Sequence, residues 1–233
     1  MPAPDRDRDQ EKVDRLVEGI RAQRRAAVSQ AITLVESSRP QHRAQARALL
    51  TELAEESGGS DVVRVGISGV PGVGKSTFIE ALGTRLVAEG HKVGVLAVDP
   101  SSPFSGGALL GDRVRMGDHA TDDGVYIRSM AARGHLGGLS WTTPQAMRVL
   151  DAAGYDVVLV ETVGVGQSEV EVAGLADTTV VLLAPGMGDG IQAAKAGILE
   201  VGDVYVVNKA DRDGARQVAQ DLRAMLSLGE RTH

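Results

Sequence analysis

The stretch Gly69-Val-Pro-Gly-Val-Gly-Lys-Ser76 decides the fold, because it matches the pattern G-x-x-x-x-G-K-[ST] at every position. The β-branched run 62–67 before it predicts a strand, and the apolar spacing over 77–87 after it predicts a helix. In this setting the pattern binds a polyphosphate through backbone N–H groups and the helix N-terminus. The alternative is a Gly-rich turn that only joins a strand to a helix.

Two side chains of this loop have an expected chemical task. We expect Lys75 to reach the β- and γ-phosphates, and Ser76 to bind Mg²⁺ through its hydroxyl. The predicted nucleotide-binding residues of the loop are Gly69, Val70, Pro71, Gly72, Val73, Gly74, Lys75, Ser76 and Thr77.

The composition limits the class of protein. A chain of 233 residues, 42% of them hydrophobic, can form one α/β domain with a helical addition. The formal net charge of -6 argues against a nucleic acid or an anionic membrane as the main partner. The absence of Cys excludes disulfides, a thiolate metal site and a cysteine nucleophile. The N-terminus is too charged for a signal peptide, and no apolar stretch has the length of a membrane span, so we expect a cytoplasmic protein.

Two helices are predicted before the first strand. The apolar spacing from Glu11 to Ser37 predicts one long helix, Pro40 interrupts it, and a second helix is predicted over 41–56. We assign residues 1–60 to an N-terminal helical extension and residues 61–233 to the nucleotide-binding domain. Amphipathic helices usually dock on their own core, which favours a cover packed against the sheet over an arm that binds a partner.

Short apolar runs predict five further strands, and helices are predicted between them. The strands cover 92–98, 125–129, 156–160, 178–183 and 204–207. The helices cover 142–153, the segment that follows the loop 185–190 and runs to about Glu200, and 214–226. This alternation predicts an α/β fold of the P-loop NTPase type, with a mostly parallel sheet covered by helices on both faces. Ligands bind such sheets beyond the carboxyl ends of the strands, where the polar motifs of this chain fall.

The tetrapeptide Asn208-Lys-Ala-Asp211 follows the last predicted strand and suits guanine recognition. The Asp211 carboxylate can accept hydrogen bonds from the guanine N1–H and amine, whereas adenine would leave a buried carboxylate unpaired. Asn208 can tie this loop to the phosphate loop, and the stem of Lys209 can cover the base. The alternative is a polar turn that starts a helix at Asp211. The position downstream of the phosphate loop favours binding of GTP and GDP.

Acidic residues follow two other strands. Glu161 can hold Mg²⁺ through water or orient the attacking water, or it can be a solvent-exposed charge at a strand end. Asp99 and Asp112 can serve Mg²⁺ or the nucleophilic water, or be ordinary turn and N-cap carboxylates. Gly164 can present its N–H to the γ-phosphate. The candidate metal ligands are Ser76, Asp99, Asp112 and Glu161, and the candidate catalytic residues are Lys75, Asp99, Asp112 and Glu161.

Five stretches combine into a specific pattern. They are Ser68-Gly-Val-Pro-Gly-Val-Gly-Lys-Ser-Thr77, Val98-Asp-Pro-Ser-Ser-Pro103, Gly107-Ala-Leu-Leu-Gly-Asp-Arg113, Val160-Glu-Thr-Val-Gly-Val-Gly-Gln-Ser-Glu169 and Asn208-Lys-Ala-Asp211. Together they resemble the MeaB/ArgK family of P-loop GTPases, which are associated with methylmalonyl-CoA mutase, an adenosylcobalamin enzyme. Some members carry an older label as a transport-system kinase or ATPase for basic amino acids.

The resemblance implies a chaperone with slow intrinsic GTP hydrolysis, which gates adenosylcobalamin loading of the mutase and protects it from inactivation. It also implies that Asp99, Asp112 and Glu161 belong to the magnesium and hydrolysis centre. The stretch 188–195 is implied to be a switch that reports nucleotide state to the mutase. Its named residues are Gly188, Asp189, Gln192 and Lys195.

The resemblance also bears on assembly. Family members continue past the position of His233 with a base-contacting loop, a strand and a helical arm used in homodimers, so we expect either a chain truncated at its C-terminus or one that lacks those functions. Two other functions stay open. One is a kinase that transfers the γ-phosphoryl group to a small molecule or protein. The other is a nickel-insertion GTPase, although the usual Cys/His cluster is missing, since Cys is absent and the five His are dispersed.

Overall fold

The computed structural model of the chain describes residues 6–56, 62–99, 124–131, 142–162, 174–186 and 202–229. The helices in these ranges are α1 (Arg6–Arg21), α2 (Arg25–Val35), α3 (Pro40–Glu56), α4 (Lys75–Ala88), α5 (Thr143–Ala152) and α6 (Ala215–Gly229). The strands are β1 (Val63–Ser68), β2 (Val93–Asp99), β3 (Val125–Ala131), β4 (Val157–Glu161), β5 (Thr178–Leu183) and β6 (Val204–Val207). In the described ranges, none of the helices has both the length and the apolar character needed to cross a bilayer.

The strands form one sheet in the order β3-β2-β4-β1-β5-β6. Every neighbouring pair is parallel, which confirms the predicted sheet type. β1 lies between β4 and β5, with Ile67 opposite both Glu161 and Val180. The segment that follows β1 therefore starts at the middle of the sheet, beside the ends of both neighbouring strands.

The sheet is covered on both faces, as the apolar character of its strands predicts. In β4, Val158 and Val160 pack into a core with the N-terminal helices and α5. The alternate residues Val157 and Leu159 pack into a second core, which includes Ile79 of α4. Strands buried on both faces read as continuous apolar runs, and this explains why β4 has no polar residue before its last position.

The N-terminal helices pack against the domain, which confirms the predicted cover. They contact one another, and all of them contact α5. α2 also meets the edge strand β3 through polar contacts: Arg25 donates to the Val125 carbonyl at 2.6 Å, and Ser29 Oγ lies 3.2 Å from the Tyr126 hydroxyl. The N-terminal helices therefore bury their apolar faces against the sheet as well as against one another.

The prediction of one helix from Glu11 to Ser37 is wrong. The chain turns between α1 and α2, where Gln23 has a left-handed φ of 55°. The apolar residues of the two halves, such as Ile20 and Val28, are buried in one core. A straight helix could not bring its two halves together, so tertiary packing overrides the continuous helical pattern.

The last described helix, α6, packs on the β5–β6 side of the sheet. Val218 and Leu222 on its inner face are buried against Leu183. The helix predicted from the end of the loop 185–190 to Glu200 lies outside the described residues.

Candidate functional site

The phosphate loop begins directly after β1 and requires glycine at two points. Gly69 has a φ of 144°, and a Cβ there would lie 2.6 Å from the Leu182 carbonyl oxygen of β5. Gly74 has a φ of 101°, and a Cβ there would lie 2.6 Å from Asn208 Nδ2. Since L side chains avoid positive φ, only glycine meets both the backbone and the space requirement. Val73 is buried between these glycines and anchors the loop to the core below it.

Lys75 places its charge against the inside of the loop. It is the first residue of α4, only 8% exposed, and its Nζ donates to the Gly69 carbonyl oxygen at 2.7 Å. Among the described residues, no side chain caps the N-terminus of α4, and its first turn carries no acidic residue. The N–H groups of this turn and the Lys75 ammonium therefore form a positive site suited to an anion.

Ser76 and Glu161 meet beside this positive site. The Ser76 hydroxyl donates to Glu161 Oε1 at 2.9 Å. Glu161 ends β4 and is only partly exposed, with Ile67 of β1 and Ala97 of β2 as its strand neighbours. In proteins Mg²⁺ is commonly held by one or two such oxygen side chains together with phosphate oxygens and water, so this pair fits the ion. The reading of Glu161 as a fully solvated strand-end charge does not fit this contact.

The loop after β6 is tied to the phosphate loop by two hydrogen bonds. Asn208 Nδ2 donates to the Val73 carbonyl oxygen at 2.9 Å, as predicted, and Lys209 Nζ donates to the Gly72 carbonyl oxygen at 2.6 Å. Lys209 has a left-handed φ of 54°, which turns the chain over the phosphate loop. The sequence predicted that the Lys209 stem would cover a base, and the structure adds this contact of its amine.

Asp211 differs from the expectation of a buried carboxylate. It lies in the turn between β6 and α6 and is exposed, and within the described ranges it accepts no hydrogen bond. Both of its oxygens can therefore accept from a ligand. The Asp211 carboxylate would become buried only when a nucleotide base lies over it.

Several predicted site residues cannot be placed by the described part of the chain. Asp112, Gly164 and the switch 188–195 lie outside the described residues. Asp99 is the last residue of β2, opposite Ala131 of β3, so its backbone reaches the same end of the sheet as Glu161.

Two residues at the site were missed by sequence reasoning. Thr162 is 1% exposed, and both its N–H and its hydroxyl donate to the Ile67 carbonyl oxygen, at 3.1 and 3.3 Å. It thereby fixes the end of β4 and the position of Glu161. Ser68 is 0% exposed, and its hydroxyl has no partner among the described residues. In the sequence, Thr162 and Ser68 are marked only by their position at the end of a strand, next to the motif residues Glu161 and Gly69.

A parallel sheet whose central strand leads through this loop into a helix defines a P-loop NTPase. The family model for Methylmalonyl Co-A mutase-associated GTPase MeaB matches residues 28–233, and the chain belongs to this family. The resemblance inferred from the motifs is thus confirmed.

Individual relatives agree with this assignment. The chain is 52% identical over 223 residues to a probable GTPase of Mycobacterium tuberculosis, covering 94% of this chain and 66% of that protein. It is 49% identical over 207 residues to GTPase ArgK of Escherichia coli, covering 88% of this chain and 62% of that protein. The crystal structure of an LAO/AO transport system kinase superposes with a TM-score of 0.72 at 37% sequence identity, covering 96% of this chain and 64% of that chain. The chain spans just under two thirds of the length of these relatives.

Proposed function

We propose that the chain binds GTP and GDP and slowly hydrolyses GTP with Mg²⁺, as a nucleotide-driven chaperone of methylmalonyl-CoA mutase. The observation that carries the nucleotide part is the tie between two loops. Asn208 and Lys209 hold the Asn-Lys-x-Asp loop against the phosphate loop, so the proposed base-binding site and the phosphate site form one continuous surface.

The phosphate end of this surface is the proposed reaction centre. The Lys75 ammonium exchanges its loop carbonyl partner for the β- and γ-phosphate oxygens, where negative charge builds during cleavage. Ser76 and Glu161 would hold Mg²⁺, with Glu161 as a ligand directly or through water. A bound ion would supply positive charge against the β- and γ-phosphate oxygens. Asp99 and Asp112 are proposed to serve the ion or the attacking water, and Gly164 to sense the γ-phosphate.

The base-binding end of this surface, which contains Asp211, determines the proposed specificity for guanine nucleotides. Asp211 accepts from the guanine N1–H and amine, and the base that it binds removes the carboxylate from water. Adenine offers an acceptor at N1, so it would leave Asp211 desolvated and unpaired. Because Asn208 spans to the Val73 carbonyl, occupancy at the base is coupled mechanically to the phosphate loop.

The family name supplies the proposed partner, since it describes GTPases associated with methylmalonyl-CoA mutase. We propose that nucleotide state gates adenosylcobalamin loading of the mutase and its protection from inactivation, in the cytoplasm. The switch residues Gly188, Asp189, Gln192 and Lys195 would report that state to the mutase. A second candidate is a P-loop kinase or ATPase linked to basic amino-acid transport, which the LAO/AO transport system kinase at 37% identity favours.

The test is GTP turnover with and without methylmalonyl-CoA mutase. We expect slow turnover that the mutase accelerates, loss of turnover in Lys75→Ala, and wild-type turnover in the control Arg85→Ala, which removes an exposed cation from the same helix. Lys195→Ala should keep basal turnover and lose the acceleration. Transfer of the γ-phosphoryl group to an acceptor other than water, with no response to the mutase, would support the kinase instead.

A further inference from the structure

A groove with both charged and apolar lining residues lies between the N-terminal helices, apart from the nucleotide site. Its volume is about 640 Å³. Side chains from α1, α2, α3 and the α1–α2 connection line it, and none of the phosphate-loop residues does. A groove of this size can accept a drug-sized ligand or a stretch of another chain.

The groove is basic in a protein that is acidic as a whole. Arg8, Lys12 and Arg15 line it from α1, and Arg24 lines it from the connection to α2. The described lining residues include one carboxylate, that of Asp9. The groove is therefore a local positive field, whereas the chain has a formal net charge of -6.

The sequence of α1 separates its charges by face. Arg8, Lys12 and Arg15 follow the spacing i, i+4, i+7, which places them on one stripe. Glu11, Asp14 and Glu18 follow i, i+3, i+7 and form a neighbouring acidic stripe. The cations are thus arranged in a line about 10 Å long, since a helix rises about 1.5 Å per residue.

Arg15, at the C-terminal end of this stripe, is not fixed by a strong ion pair among the described residues. Arg15 meets Glu11 at 3.5 Å, but the two side chains are 74% and 68% exposed. Exposed pairs of this kind are weak and exchange readily for other partners.

The base of the groove holds an unsatisfied acceptor. Gln45 of α3 is 5% exposed, and its Nε2 donates to Asp9 Oδ1 at 2.5 Å, which fixes its orientation. Gln45 Oε1 is buried and has no hydrogen-bond partner among the described residues. A buried acceptor in this state gains from a ligand that brings an N–H or O–H donor. This observation is independent of the cationic stripe and lies in the same groove.

We propose that this groove docks an acidic polypeptide segment of a partner protein. Carboxylates repeated at helical spacing match the linear stripe of cations, and the N–H groups of the segment's first helical turn, which have no partner within the helix, can donate to Gln45 Oε1. A compact polyphosphate would need cations converging on one point and would meet the Asp9 carboxylate. Four cationic side chains line the groove, so we expect the binding to be largely ionic and to weaken with salt.

The test uses a fluorescein-labelled helical peptide with Glu at i, i+4 and i+7, and a matched peptide with Gln at those positions. Fluorescence anisotropy is measured on the 233-residue chain. We expect the Glu peptide to bind, with affinity falling as salt rises from about 0.05 M to about 0.3 M. Lys12→Glu/Arg15→Glu should weaken binding at least about tenfold. Arg43→Glu/Arg47→Glu, which makes the same charge change on exposed residues of α3 outside the groove, should leave it within about twofold.

Other outcomes overturn the proposal. Equal loss in both double variants would mean attraction by net charge alone. Tighter binding of inorganic triphosphate or of a single-stranded oligonucleotide than of the Glu peptide would assign the groove to a different ligand. Circular dichroism of each variant checks that the helices remain folded. The assay contains no nucleotide and no mutase, so its failure is separate from a failure of the proposed GTPase function.

Discussion

Replacement of Gly74 by Ala tests the tie between the two nucleotide loops. The new Cβ would lie 2.6 Å from Asn208 Nδ2, which is the end of a flexible side chain and can swing away. That movement breaks the 2.9 Å hydrogen bond from Asn208 to the Val73 carbonyl oxygen. The substitution also forces a residue with a Cβ to adopt a φ of 101°.

The two costs can be separated with a second glycine. A left-handed backbone costs a non-glycine residue about 1–2 kcal/mol, and the lost hydrogen bond costs about 0.5–1.5 kcal/mol. Gly90 has a φ of 92°, yet a Cβ there would meet nothing within 4 Å. Gly90→Ala therefore carries only the backbone cost, and Gly74→Ala should exceed it by about 1 kcal/mol.

Urea unfolding of both variants measures this difference in the free energy of unfolding. In a protein of this size, 1 kcal/mol corresponds to a fall in Tm of about 2–4 °C. Asn208→Ala should add little on top of Gly74→Ala, because the same hydrogen bond is already lost, and should act fully in the Gly90→Ala background. Equal destabilisation by the two glycine substitutions, or additive effects of Asn208→Ala in both backgrounds, would refute the tie.

Three further predictions concern stability. Gly83→Ala in α4 should raise the free energy of unfolding by about 0.5–1 kcal/mol, because a Cβ there meets nothing within 4 Å; a lower midpoint in urea would contradict this. Arg128→Ala should lower the free energy of unfolding by about 2 kcal/mol, because it leaves Glu36, which is 19% exposed, without its ion pair. Arg85→Ala, in the exposed pair with Glu89, should lower it by less than about 0.5 kcal/mol. Similar Tm changes in the two variants would contradict this prediction. Burial raises the pKa of Tyr126 above its ordinary value of 10.0, so the stability it contributes is present below that pH and is lost as pH rises through the raised pKa. Tyr126→Phe should flatten part of the alkaline loss of stability in unfolding titrations, and an unchanged slope would mean that other groups cause it.

The strands and the phosphate loop were predictable because their signals are local. β1 is rich in β-branched residues, β4 is a continuous apolar run before its last residue, and the Gly-rich loop has a fixed pattern, so their positions and types followed from the residues themselves. The contact from Asn208 to the phosphate loop was predictable because both motifs end parallel strands of one sheet, and such ends meet at one edge.

The sequence-based predictions failed where the local structure is determined by packing between residues far apart in the chain. The break between α1 and α2 carries no Pro, and Gln23 is an ordinary residue, so only the burial of the two helices against each other reveals it. The role of Thr162 depends on the Ile67 carbonyl of a neighbouring strand, which spacing along the chain does not specify. The exposure of Asp211 likewise depends on how far the β6–α6 turn stands out from the sheet.

The central claim is that this surface selects guanine nucleotides, and isothermal titration calorimetry with GDP and ADP in Mg²⁺ tests it most directly. The account predicts that GDP binds at least about 100-fold more tightly than ADP, because only guanine satisfies the Asp211 carboxylate once the base covers it. Asp211→Asn should lose that preference and bind xanthosine diphosphate better than GDP, since xanthine offers an acceptor to the new amide. Equal affinities of the wild-type chain for GDP and ADP would contradict the account.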